Sequence, residues 1–153
     1  MGAVHANNFT SELYLIKGPG QLRVSPVKYS DDSTEYQYEY WKVGAKPKRL
    51  ISFRARPLPG CCGILVVYYV RPDGGRESWY STMIAVFDAA KKAGYATLML
   101  SLLQSSQEAL EDLQKAGYIL SKPMVNKKTG NPLVLAYIDL KQVVTTTKTF
   151  KVD

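Results

Sequence analysis

"AKKAGYATLMLSLLQSSQEALEDLQKAGYIL", Ala90 to Leu120, decides the fold. Its two near-identical pieces, Lys91–Tyr95 and Gln114–Tyr118, read as the ends of two helices. In each, a Lys in the last turn favours the negative end of the helix dipole, a Gly takes the left-handed turn that stops the helix, and an aromatic begins the next strand. Between the two stops, "YATLMLSLL" is a short apolar run of strand length. "SSQEALEDLQKAG" then predicts a helix, with Ser105 or Ser106 as N-cap and Glu108 near the third position of a capping box.

Upstream, Ser78 to Ala93 places Trp79, Met83, Val86, Phe87 and Ala90 along one helical stripe. The run before it, "CCGILVVYYV", is apolar throughout and predicts a central strand covered on both faces. Residues 1–60 read as strands alone: "ELYLIKG", "QLRVSPVKYS", "TEYQYEYWKV" and "RLISFRARPLP", separated by Gly, Pro and Asp turns. In the third of these, Tyr36, Tyr38 and Tyr40 share one face, opposite Glu35, Gln37, Glu39 and Trp41. Downstream, "YILSKPMV" and "PLVLAYIDL" flank the turn Asn126–Pro132 and predict a hairpin. Residues 141–153 read either as an edge strand or as an extension. The expected fold is α/β, a mixed and largely antiparallel sheet with a central parallel pair and two covering helices. A single domain is expected over 1–153, with a strand-rich part (1–60), a core (61–140) and the tail.

Apolar residues make up 46% and charged residues 22% of the chain, as in an ordinary globular domain. No apolar run approaches the roughly 20 residues that span a bilayer, and no secretion signal is visible at the N-terminus, so a cytoplasmic protein off the membrane is expected. Cys61 and Cys62 are neighbours on a strand and point to opposite faces; with one His in the chain they provide no four-ligand zinc set, and no metal is expected. The net charge of +7 suits an anionic partner: nucleic acid, an acidic protein or a phosphorylated cofactor. The basic residues are scattered, which reads as solvated faces rather than a nucleic-acid site. The Tyr36–Tyr40 row alternates with Glu instead of basic residues, so it reads as sheet packing rather than base stacking.

The segment that could carry chemistry is Val70-Arg71-Pro72-Asp73-Gly74-Gly75-Arg76-Glu77-Ser78. It delivers the central strand onto a helix N-terminus, where free backbone N–H groups and the positive dipole end favour an anion. Arg71 and Arg76 add charge, and the two glycines permit close approach to the backbone.

From Cys61 to Leu140 the chain resembles the GCN5-related N-acetyltransferase (GNAT) superfamily. In that family the loop carries Gln/Arg-x-x-Gly-x-Gly/Ala around the pyrophosphate of acetyl-coenzyme A; Arg71 and Gly74 match it, and Arg76 stands where Gly or Ala is usual. A second family signature, Asn-x-x-Ala-x-x-x-Tyr-x-Lys-x-Gly-Phe, aligns with Ser106, Ala109, Leu113, Lys115, Gly117 and Tyr118. The resemblance implies an acyl-CoA N-acyltransferase-like fold and acetyl-CoA as cofactor, held by Val70, Arg71, Gly74, Gly75, Arg76 and Ser106. It also implies an amine acceptor. Leu113 occupies the place of the family's acidic Tyr, and the strand Cys62–Val70 has no carboxylate to act as base, which leaves Tyr68, Tyr69 and Glu77 as catalytic candidates. Two functions are compatible with this pattern: an acetyl-CoA-dependent N-acyltransferase acting on an amine, and a non-catalytic interaction or assembly protein, such as a viral or phage particle component, working as a homo-oligomer or within a larger assembly.

Overall fold

Eight strands form one sheet in the computed structural model, which describes residues 6–28, 30, 34–58, 63–125 and 129–141. In chain order the elements are α1 (Ala6–Leu15), β1 (Gln21–Lys28), β2 (Thr34–Lys42), β3 (Lys48–Pro57), β4 (Ile64–Arg71), α2 (Arg76–Lys92), β5 (Thr97–Leu103), α3 (Gln107–Lys115), β6 (Ile119–Leu120), β7 (Met124–Val125) and β8 (Pro132–Asp139). The strands lie in the order β1-β2-β3-β4-β5-β8-β6, and β7 also pairs with β8. All pairs are antiparallel except β4 with β5. The α/β class, the central parallel pair and the closing hairpin expected from the sequence are all present.

One face of this sheet is apolar because the strands alternate. Ile51, Phe53 and Ala55 on β3, Leu65 and Val67 on β4, Leu98, Leu100 and Leu102 on β5, and Val134, Ala136 and Ile138 on β8 are buried. The ladders set them side by side, as in the row Ala55, Val67, Leu100 and Ala136. The crossovers from β4 to β5 and from β5 to β6 step in the same direction across the sheet, so right-handed connections place α2 and α3 on this same face. Both helices end as the sequence predicts. Tyr95 N–H bonds Ala90 C=O and Gly94 N–H bonds Lys91 C=O; Tyr118 to Leu113 and Gly117 to Gln114 repeat the pattern, with Gly94 and Gly117 at φ +96° and +101°.

The first sixty residues are not all strand. α1 replaces the strand expected over "ELYLIKG" and adds a third helix to the two expected. Phe9, Leu13 and Ile16 recur at i, i+4 and i+7, and this helical spacing overrides the local alternation because it gives α1 an apolar stripe to bury against α2 and β3. Phe9 and Leu13 are fully buried, each worth roughly 1.5–3 kcal/mol of transfer free energy. Phe9 meets the Tyr38 ring edge-on at 5.4 Å, Tyr38 stacks on Phe53 at 5.1 Å, and the Thr10 and Tyr38 hydroxyls lie 2.7 Å apart.

β4 is central in the strand order, but it is covered on one face only. Leu65 and Val67 are buried, whereas Ile64, Val66 and Tyr68 on the other side remain half-exposed. The apolar run reflects a mixed environment: the far side of β4 borders a polar face instead of a second helix layer. On that face lie Arg23, Gln37, Glu39, Trp41, Arg54 and Arg56, an alternation of cations, acids and rings. Cys61, Cys62, Lys127, Lys128 and the tail 142–153 lie outside the described residues.

Candidate functional site

The C-terminal end of β4 is irregular. Arg54 pairs with Tyr68 and Ser52 with Arg71, so two steps along β3 face three along β4 and one residue is extra. Tyr69 absorbs it, at φ +52°, the one non-glycine residue with positive φ among the described residues. Consecutive side chains of a regular strand point to opposite faces. Here the Tyr68 and Tyr69 rings lie 4.9 Å apart. Beyond the bulge the sides exchange: Val70 packs against the core, and Arg71 is exposed opposite Ser52.

The parallel ladder also stops early. Ile64–Val67 pairs with Thr97–Leu100, yet β4 continues to Arg71 and β5 to Leu103, where β5 stays paired with β8. The two central strands therefore part at their C-terminal ends, next to the start of α2.

Pro72–Gly75 connects that opening to the helix. Gly74 donates its N–H to Leu50 C=O at 2.6 Å, and a Cβ there would meet Ser78 Oγ at 2.8 Å and Leu50 Cα at 3.0 Å. Gly74 is thus fixed by packing, and its amide is taken. Gly75, the N-cap, sits at φ +87°, ψ −173°, a conformation open essentially to Gly alone, and a Cβ on it would point into open space. No side chain caps the helix; its first bond runs from Trp79 N–H to Gly75 C=O, so the amides of Arg76, Glu77 and Ser78 begin α2 without an intrahelical acceptor.

Arg76 does not point along this opening. It donates to Asp112 Oδ1 at 2.7 Å and to the Tyr80 hydroxyl at 2.8 Å, and pairs with Glu108 at 3.2 Å, tying the start of α2 to α3. The Asp112 hydrogen bond raises the guanidinium pKa above its ordinary value, with the Tyr80 bond adding to it. Asp112 itself is buried, and its Oδ2 has no partner among the described residues.

On the polar face beside Tyr69 lies a cavity of about 460 Å³, lined by Gln37, Arg49, Ser52, Arg54, Tyr69 and Arg71 among others. Arg49 is held by Asp73 at 3.0 and 3.2 Å and by Glu39 at 3.5 Å. Arg54 donates to Gln37 Oε1 at 3.2 Å and lies 5.1 Å over the Tyr69 ring.

By sequence the chain matches no protein-family model and no curated protein. Solved structures do match it. The Vibrio cholerae spermidine/spermine N-acetyltransferase SpeG aligns with a TM-score of 0.58 at 8% identity, covering 78% of this chain and 93% of that one. A Bacillus subtilis acetyltransferase in complex with CoA aligns at 0.51 and 14%, covering 78% and 99%. A probable GNAT-family acetyltransferase from Chromobacterium violaceum aligns at 0.55 and 10%, with 72% of this chain spanning 59% of that one.

The fold is that of the GCN5-related N-acetyltransferases. Within this GNAT fold, Val70, Arg71, Gly75 and Arg76 do cluster at the bulge and the helix start, but Arg76 is engaged by α3 and Gly74 by Leu50. Ser106 is the N-cap of α3 as expected, yet the capping box does not form: Ser106 makes no capping bond, and Glu108 pairs with Arg76 instead. Tyr69 is 61% exposed at the cavity, and Tyr68 lies beside it with Arg56 5.6 Å over its ring. Glu77, exposed in the first turn of α2, is not among the residues of that cavity. Leu113, at the place of the family's Tyr, is fully buried. The cavity residues Gln37, Ser52 and Arg54 were not singled out by sequence; their only signal was the polar parity of β2 and β3 opposite Tyr38 and Phe53, whereas Arg49, of the same parity as Phe53, reaches this face through the register shift between Tyr40 and Trp41.

Proposed function

We propose that the chain is an acyl-CoA-dependent N-acyltransferase acting on an amine. The observation that carries this reading is the parting of β4 and β5 beyond Val67 and Leu100, beside an uncapped helix N-terminus. The residues present suit a coenzyme pyrophosphate: the amides of Arg76, Glu77 and Ser78 are available as donors, and the absent side chain of Gly75 leaves the approach clear. Acetyl-CoA, when bound, supplies an acyl group activated as a thioester. The protein's contribution is placement: the α2 amides fix the anionic end, the parted strands admit the narrow arm, and Tyr68 and Tyr69 border the place where an amine would approach. Their hydroxyls are the side-chain groups at the bulge able to donate a proton to a leaving thiolate. A structural neighbour described as an acetyltransferase in complex with CoA and another named for spermidine and spermine support the same chemistry class.

A second reading, a GNAT fold kept as a non-catalytic interaction protein, is favoured by two observations. Arg76 is clasped by Asp112 and Glu108 where a bound anion would need it, and Leu113 offers no proton donor. Thermal unfolding separates the two. Acetyl-CoA at about 100 times its dissociation constant stabilises a binding protein by about 2.7 kcal/mol, visible as a rise in Tm. Gly75→Trp removes that rise if the coenzyme sits at the start of α2; no shift at millimolar acetyl-CoA rejects the acyltransferase reading.

A further inference from the structure

The cavity beside Tyr69 has a composition that the coenzyme does not use. Three guanidiniums, those of Arg49, Arg54 and Arg71, line its roughly 460 Å³, and no carboxylate does. Two acids adjoin it through Arg49 and are already engaged: Asp73 by Arg49, and Glu39 by Trp41, Gln37 and Arg49. Arg71 has no side-chain hydrogen bond or ion pair among the described residues, and it faces the cavity only because the bulge turns it there. Gln37 and Ser52 complete a polar wall, and Ser52 is buried at its base. Such a wall recognises a planar or tetrahedral oxyanion by forked N–H donation. The cavity also abuts Tyr69 at the parting of β4 and β5, so whatever it holds lies next to the proposed site of transfer.

We infer that this cavity binds an anionic group of the acceptor: the substrate is an amine carrying a carboxylate or a phosphate, oriented by Arg71 with Arg54 so that its nitrogen reaches the bulge. The inference rests on the acyltransferase reading for its consequence, but the anion site can be tested without it. In the full-length 15N-labelled protein, the backbone amides of Ser52, Tyr69 and Arg71 are followed during titration with β-alanine, O-phosphoethanolamine and ethanolamine. The two anionic amines are expected to shift these amides saturably, and ethanolamine is not; the stronger of the two identifies carboxylate or phosphate as the preferred group. Arg71→Gln weakens that binding on the order of tenfold or more, as loss of a charge-assisted fork should. Arg23→Gln, on the same face but over Trp41 at the far strands, leaves it unchanged. Absence of shifts with both anionic amines, equal shifts with ethanolamine, or unaltered binding by Arg71→Gln overturns the inference. Release of free thiol from acetyl-CoA with the same amines keeps the two proposals apart. Saturable anion binding with no thiol release from any amine rejects acyl transfer and leaves the anion site standing. Equal release with ethanolamine and the anionic amines rejects the anionic acceptor and leaves acyl transfer standing.

Discussion

Arg76 donates a 2.7 Å hydrogen bond to the buried carboxylate of Asp112, so the first residue of α2 is fastened to α3. Two consequences conflict: the clasp stabilises the packing of the two helices, and it withholds a cation from the opening beside Gly75. Arg76→Ala should lower Tm by several degrees, because the buried Asp112 carboxyl group is left without its hydrogen-bond partner. Asp112→Asn should cost less, and the double variant no more than Arg76→Ala alone, as a double-mutant cycle by chemical denaturation would record. If the coenzyme competes with Asp112 for Arg76, Asp112→Asn should also tighten acetyl-CoA binding, measured by calorimetry.

Gly75 is needed for its backbone conformation rather than for space. Gly75→Ala should destabilise the fold by about 1–3 kcal/mol although nothing stands where its methyl would go, since φ +87° with ψ −173° is strained for any L side chain. Urea unfolding with an unchanged m-value is the measurement. A neutral outcome would mean that the loop rearranges freely, and with it the start of α2.

The placement of α1 is tested at Phe9. Phe9→Ala should cost about 3–5 kcal/mol, as for any fully buried aromatic, because it removes the ring that meets Tyr38 and opens the gap between α1, α2 and β3. An exposed strand at the same position would lose almost nothing.

Alkaline stability follows from buried phenols. Desolvation pushes the Tyr95 hydroxyl up to about 12 and raises those of Tyr38, Tyr40 and Tyr118 as well, Tyr38 despite its bond to Thr10. A raised pKa in the folded state means that stability is whole below about pH 10, the unfolded tyrosine value, and falls as pH climbs from there. Titration of absorbance near the phenolate band should show these four among the eleven tyrosines silent until the chain unfolds above pH 10.

Much of the architecture was legible because it is written in periodic local signals. The Gly94 and Gly117 stops, the Trp79–Ala90 stripe and the Tyr36–Tyr40 row each depend on residues within one element, and each appears where the pattern puts it. α1 was missed because "ELYLIKG" satisfies a strand alternation locally, and only the partner surfaces on α2 and β3 select the spacing of Phe9 and Leu13. The loop Arg71–Arg76 was visible as a candidate anion site, but not that Asp112, far along the chain, would hold Arg76. The cavity was illegible for the same reason. Its wall is assembled from β2, β3 and β4 by register, and a bulge that changes register leaves no mark in composition.

The single extra residue at Tyr69 settles the odd–even bookkeeping of β4. Leu65 and Val67 have odd numbers and lie beneath the helices, so in an uninterrupted strand Arg71 would follow them into the core, where a guanidinium without a partner cannot be held. With the insertion it emerges beside Ser52 instead. The irregular backbone and the side on which the cation emerges are therefore coupled: flattening the bulge with every residue kept would turn Arg71 inward, whereas deleting Tyr69 would remove the kink and leave Arg71 opposite Ser52.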